Sequence, residues 1–173
     1  AALPAADVPK PATKPNILFI LSDDHASEAI GAYNSWLKDY VQTPTIDRLA
    51  AEGMRFNNMC VNNSICSPSR ASIVTSQYSH KNGVFGLKIG INETSPMVSE
   101  ELRKNGYSTA IFGKWHMECT PRGFDDYAIT RGQGSYFNTS LETPGGNNKP
   151  AGYYTDAFNK LSLDWLDKRD KSK

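Results

Sequence analysis

Three short clusters in this sequence carry residue types that can do chemistry. The first is Asp23-Asp24-His25. Two adjacent carboxylates repel one another and lose hydration when packed against a fold, so they need compensation. A hard divalent cation bound by oxygens supplies it; a turn in which both carboxylates stay solvated or cap a helix is the plainer alternative. The second cluster is Cys66-Ser67-Pro68-Ser69-Arg70. Pro68 donates no backbone hydrogen bond and suits the first turn of a helix, so a helix is expected after it, with Cys66 just ahead. Unpaired N–H groups and the macrodipole favour developing negative charge there. Arg70, about one turn on, reaches back toward the same place. These facts describe an activated side chain beside an anion site, and a plain reactive thiolate fits them equally. The third cluster is Gly113-Lys114-Trp115-His116. Residues two apart on a strand share a face, so Lys114 and His116 would offer a cation and a proton-carrying ring to one pocket while Trp115 turns into the core. A surface lysine and a satisfied histidine at a strand end is the alternative. Three separate elements that each suit an anionic ligand reinforce one another.

The elements needed to position these clusters are legible in the pattern. Residues 16–22 form a continuous apolar run, as in a strand buried on both faces of a parallel sheet, and they end abruptly at the acidic pair. An irregular stretch follows to about Gln42. Thr43-Pro44-Thr45 opens a helix in which Ile46, Leu49 and Ala50 share a face, with Gly53 near its stop. Residues 55–61 read as a second strand. After Pro68 a helix is expected, with Ala71, Val74 and Thr75 at helical spacing. Residues 97–105 read as another, between Pro96 and Gly106. Residues 107–115 then read as a strand and 123–130 as a shorter one. Residues 131–152, rich in Gly, Asn, Ser and Pro, read as a long loop, of the kind more often functional than idle. Residues 154–168 read as a helix with Phe158, Leu161, Trp165 and Leu166 on one stripe. Strands alternating with helices indicate an α/β fold with a mostly parallel sheet flanked by helices. Ligands gather at the carboxyl ends of such strands, where Asp23, Asp24, Lys114 and His116 fall.

Composition narrows the partners. The 173 residues suffice for one core, and 19 Lys plus Arg against 18 Asp plus Glu leave a net charge of +1. Nothing in that balance favours nucleic acid or an anionic membrane. The longest apolar run, Ile17–Leu21, is far too short to cross a bilayer. Residues 1–14, rich in Ala and Pro, read as a flexible lead-in, the expected remainder after removal of a signal peptide. Three cysteines, Cys60, Cys66 and Cys119, do not close a disulfide framework, and no CxxC pair suggests zinc.

At these residues the sequence resembles the sulfatases, which share the alkaline-phosphatase-like α/β architecture. The resemblance runs from Pro15-Asn16-Ile17 through Ser22-Asp23-Asp24, residues 43–49 and Cys66-Ser67-Pro68-Ser69-Arg70 to Gly113-Lys114-Trp115-His116. It implies that a formylglycine-generating enzyme oxidises Cys66 to formylglycine, an aldehyde that hydrates to a geminal diol. It also implies calcium (Ca2+) held by Asp23, Asp24 and residue 66. Arg70 would stabilise the diol, Lys114 would neutralise sulfate oxygens, and His116 would hydrogen-bond the hydrate. One diol hydroxyl would attack sulfur and expel the alcohol. Deprotonation of the other would then release sulfate and restore the aldehyde. His25 is assigned only a place near substrate. The family's later calcium ligands and its second lysine and histidine have no counterpart before Lys173. The chain is therefore expected to be the amino-terminal portion of a catalytic domain, residues 15–173, inactive alone, from a secreted, periplasmic or lysosomal-type enzyme.

Two other functions fit part of the pattern. A phosphonate or phosphate ester hydrolase of the same superfamily carries a similar motif, although the metal-paired phosphatases use Ser or Thr where Cys66 stands. A sulfated-glycan binding protein would retain Cys66 as a thiol. The stretch from Pro121 to Asp126 and the loop 131–137 resemble sulfatases acting on sulfated sugars, including those that remove 6-sulfate from N-acetylglucosamine. A sulfated saccharide is the expected substrate, with Tyr136 and Phe137 available to stack on a sugar face or simply to pack the loop.

Overall fold

The computed structural model describes residues 14–172, so most of the expected lead-in at 1–14 lies outside the described residues. The chain divides into two compact units, Ala1–Asn57 and Asn58–Lys173.

In the first unit, α1 (Pro44–Glu52) starts at Pro44, whose missing N–H costs nothing at a helix start, and Gly53 closes it with a bond to Leu49 O. Two 3-10 turns, Ser27–Ala29 and Gly31–Tyr33, precede it in the stretch that carries no regular pattern. They are fastened to the helix start: Ala32 N donates to Asp47 Oδ1 at 2.7 Å, and Gly31 N donates to Thr43 Oγ1 at 2.9 Å. Asp47 packs so closely that a Cβ on Gly31 would lie 2.6 Å from its Oδ2.

Two expectations fail here. Residues 16–22 and 55–61 form no strand. Leu18 and Ile20 are among the most exposed apolar residues, at 76% and 75%. The physical reason is that a parallel strand is completed by its neighbours: its N–H and C=O groups need a ladder on each side. Among the described residues, none pairs with either segment.

The second unit holds the sheet. Strands β1 (Ala110–Lys114), β2 (Asp126–Thr130), β3 (Leu141–Thr143) and β4 (Gly146–Asn148) lie in that order. β1 and β2 are parallel, running in register from Ala110↔Asp126 to Lys114↔Thr130. β3 joins antiparallel at Ile129↔Glu142, and β4 returns from it as a hairpin. This hairpin lies within 131–152, where the sequence pattern predicts only loop. Three-residue strands made largely of Gly, Asn, Thr and Glu carry too little alternation to announce themselves.

Period-two alternation divides the sheet's faces. Ile111 and Ile129 face a cluster with Ala71, Val84, Ile91, Met97, Trp115 and Met117. Phe112 and Ala128 face the other way, onto Leu141, Phe158 and Leu161. Helices α2 (Cys66–Thr75), α3 (Ser79–Asn82) and α4 (Val98–Lys104) precede β1. α2 supplies Ala71 and Val74 to the first cluster. α5 (Tyr154–Lys168) covers the other face, with Trp165 and Phe112 ring centroids 6.4 Å apart. Its boundaries match the sequence expectation, as does its apolar stripe. The result is a mixed sheet between helices, an α/β layer consistent with part of the alkaline-phosphatase-like fold. No helix among the described residues is long and apolar enough to cross a membrane.

Candidate active site

Cys66 is the first residue of α2 rather than its predecessor, and Ile65 is the N-cap. Pro68 consequently occupies the third helical position, still within the first turn, where no intrahelical donor is lost. The first helical bond along this start is Ser69 N to Ile65 O, at 3.0 Å. Cys66 is half-buried and carries a free thiol, while Ser67 and Pro68 beside it are fully covered. Residue 66 therefore presents its side chain at a helix start on a tightly packed base.

β1 ends at Lys114, so His116 is not a strand residue. Its φ of +48° is left-handed, a conformation uncommon for a residue with a Cβ. Trp115, between them, is 1% exposed and fills the core as expected; its ring meets Phe124 edge-on and its Nε1 donates to Cys119 O at 2.7 Å. Backbone bonds from Trp115 N (2.9 Å) and His116 N (3.4 Å) to Thr130 O hold the turn against the end of β2.

Two hydrogen bonds join the cysteine motif to the lysine–histidine motif. Ser67 Oγ donates to His116 O at 2.6 Å, and Arg70 Nη1 donates to Lys114 O at 2.6 Å. The first turn of α2 and the end of β1 are thereby clamped together. Arg70 and Lys114, two cations, stand at that junction with His116. Lys114 Nζ reaches on to Gln133 Oε1 at 2.6 Å. The sequence singles out Cys66, Arg70, Lys114 and His116, and this unit gathers the segments that bear all four. It does not reveal Ser67, whose role is visible only through its contact with a backbone carbonyl, or Gln133, which sits in a stretch with no pattern of its own.

Asp23, Asp24 and His25 lie in the first unit, in an exposed bend. Asp24 has a φ of +51°, which short polar side chains tolerate. The His25 ring bridges Ser22 Oγ (3.2 Å, to Nδ1) and Ala29 O (3.4 Å, to Nε2). A carbonyl only accepts, so in the neutral ring Nε2 bears the proton and Nδ1 accepts from the serine. Asp23 and Asp24 offer the hard oxygens calcium takes, yet two carboxylates give at most about four of its six to eight ligands. Among the described residues, no group of three or more His, Cys, Asp or Glu side chains is placed to hold a metal ion. These residues do not by themselves compose a calcium shell.

The Sulfatase family profile matches residues 15–173. The chain belongs to the sulfatase family. Among its relatives, an N-acetylglucosamine-6-O-sulfatase of Bacteroides thetaiotaomicron is 37% identical over 163 residues, which are 92% of this chain and 29% of that protein. The human N-acetylgalactosamine-6-sulfatase is 34% identical over 142 residues, 71% of this chain and 26% of that one. This sulfatase chain thus spans less than a third of the length of either. A solved structure of a protein in complex with its substrate D-glucosamine-2-N,6-O-disulfate superposes with a TM-score of 0.88 at 36% identity, covering 93% of this chain and 33% of its own. Another, bound to k-i-k-neocarrahexaose, gives 0.82 at 32% identity, covering 92% and 43%. The four-stranded mixed sheet is accordingly the sulfatase fold in part.

Proposed function

We propose that this chain is the amino-terminal portion of a hydrolase that removes sulfate from a sulfated carbohydrate, with residue 66 as nucleophile after oxidation to formylglycine. The observation that supports the reading is the double clamp, Ser67 Oγ to His116 O and Arg70 Nη1 to Lys114 O, which joins two motifs distant in sequence. Hydrated formylglycine at residue 66 would supply a geminal diol, and calcium, for which Asp23 and Asp24 would be among the ligands, would supply positive charge to offset that of a sulfate ester.

The chain's own residues have distinct roles. Lys114 brings an ammonium to offset charge that builds on the equatorial oxygens during sulfuryl transfer. Arg70, held by the Lys114 carbonyl, brings a guanidinium one helical turn from residue 66 and favours the anionic form of what is bound there. His116 brings an imidazole ring whose nitrogens can donate or accept a hydrogen bond, held by its backbone rather than by a strand. His25 is placed near substrate in this reading. A saccharide substrate is supported by the names of the relatives, and by Tyr136 and Phe137 on the loop after β2, 78% and 64% exposed. Maturation by a formylglycine-generating enzyme, in a secreted, periplasmic or lysosomal-type compartment, belongs to the same reading.

The test is a parallel assay of the full-length protein from its native host on 4-nitrophenyl sulfate, a phenyl phosphonate monoester and 6-sulfated N-acetylglucosamine. Turnover of the sulfate esters, abolished by Cys66→Ala, is the expected result. Preferential turnover of the phosphonate, or sulfatase activity that survives Cys66→Ala, overturns it.

A further inference from the structure

We infer that Gln133 is a positioning residue that aims the Lys114 ammonium at the substrate anion, on a loop held in place by the β3–β4 hairpin. This rests on the reading that Lys114 contacts sulfate. The amide Oε1 of Gln133 accepts from Lys114 Nζ at 2.6 Å across 19 residues of sequence. A lysine ammonium is a point charge on a flexible stem, and delivering it to one spot requires a fixed contact. An amide oxygen provides that contact and carries no charge of its own. A carboxylate in its place would hold the lysine more strongly and neutralise the charge that the anion requires.

The loop around Gln133 is pinned on both sides. Just before it, the Arg131 guanidinium forks onto Glu142, with Nη2 to Oε1 at 2.8 Å and Nε to Oε2 at 2.5 Å. Glu142 belongs to β3 and pairs with Ile129 of β2, so the hairpin anchors the arginine. Thr130 Oγ1 donates to Gly132 O at 3.3 Å. Just after it, Gly134 turns with a φ of +74°, where an added Cβ would meet Tyr154 Cε2 at 3.0 Å, Thr130 Cγ2 at 3.1 Å and Thr139 Oγ1 at 3.1 Å. Ser135 N donates to that same Thr139 hydroxyl at 3.1 Å, and Thr139 is buried. Gln133 itself is exposed, so its side chain serves no core. The hairpin has little intrinsic strand character, yet it supplies the acid that holds the arginine that fixes the loop.

Inorganic sulfate, as a competitive inhibitor of the full-length converted enzyme, is the probe. Gln133→Leu keeps the volume and removes the acceptor. It should raise the sulfate Ki and the KM for 4-nitrophenyl sulfate about three- to tenfold, as expected for a lost hydrogen bond to a charged group at an exposed site. Gln133→Glu should raise both further, and neither change should move the melting temperature by more than about 2 °C. On a Lys114→Met background, Gln133→Leu should add nothing. A Gln133→Leu Ki within about twofold of wild type, beside a Lys114→Met Ki raised about tenfold or more, overturns the role of Gln133 while leaving Lys114 in place. An undiminished Gln133→Leu effect on the Lys114→Met background overturns it as well. A Lys114→Met enzyme that binds sulfate like wild type overturns the sulfate contact itself, and this inference with it.

Discussion

The clamp from Ser67 to His116 is open to a sharp test by Ser67→Ala. Ser67 is 0% exposed and its hydroxyl donates to the His116 carbonyl at 2.6 Å, 49 residues away. Alanine removes one oxygen from a packed site and adds nothing that clashes. An intramolecular hydrogen bond of this kind is worth about 1 kcal/mol net, rising toward 3 kcal/mol when its withdrawal leaves an acceptor away from water. His116 also holds a left-handed backbone, which costs a non-glycine residue on the order of 1–3 kcal/mol and persists only while its surroundings impose it. Loss of the clamp is of the same size as that cost, so the histidine should spend much of its time elsewhere. The expected outcome is a fall of about 1–2 kcal/mol in unfolding free energy, and a fall in kcat/KM of roughly five- to thirtyfold. Ser67 stands directly beside Cys66, so conversion of residue 66 is measured on the same preparation by peptide mass and activity is expressed per converted site. A fully converted Ser67→Ala enzyme with unchanged urea midpoint and unchanged kcat/KM would refute the argument that this hydroxyl positions His116.

Other outcomes follow from particular contacts. Trp115→Ala, at a residue 1% exposed in the larger core cluster, should cost about 3–5 kcal/mol by urea unfolding; a loss under about 1 kcal/mol would mean that this ring does not hold the β1 end. Gly123→Ala should destabilise by about 1–3 kcal/mol, because the new Cβ would stand 2.5 Å from Glu100 N, at a φ of +74°; the same urea series reads it. The hydrogen bond from Lys160 holds the Asp164 carboxyl on α5 below its ordinary titration range, outweighing an opposing effect of desolvation. A carboxyl depressed by folding supports the fold above its unfolded pKa and withdraws that support as pH falls through the lower, folded value. Carbon-13 NMR titration should therefore find Asp164 titrating lower in wild type than in Lys160→Met, and coincident curves would remove the bond.

How far the sequence reaches differs from element to element. α5 is legible because its 15 residues repeat an apolar stripe over several turns, and α1 because Pro44 and Gly53 mark its ends. Residues 16–22 have the composition of a buried strand, but pairing belongs to the partners and not to the segment, so composition alone misleads. The β3–β4 hairpin hides for the opposite reason: Leu141 is its deeply buried anchor, and the residues around it are those of a turn-rich loop. In the site, reactive side chains identify themselves by type and spacing. Their supports do not, because Ser67 and Arg70 act on backbone carbonyls, a group that every residue carries and no sequence pattern distinguishes. Gln133 is likewise visible only as part of a loop.

The central claim concerns the chemical state of residue 66, and the tryptic peptide 56–70 reports it directly. That peptide also contains Cys60, an exposed thiol that serves as an internal reference for alkylation. In active protein from the native host, iodoacetamide followed by mass spectrometry should find Cys60 alkylated and residue 66 carrying the mass of an aldehyde or its hydrate. Active enzyme in which both cysteines are alkylated would contradict the account.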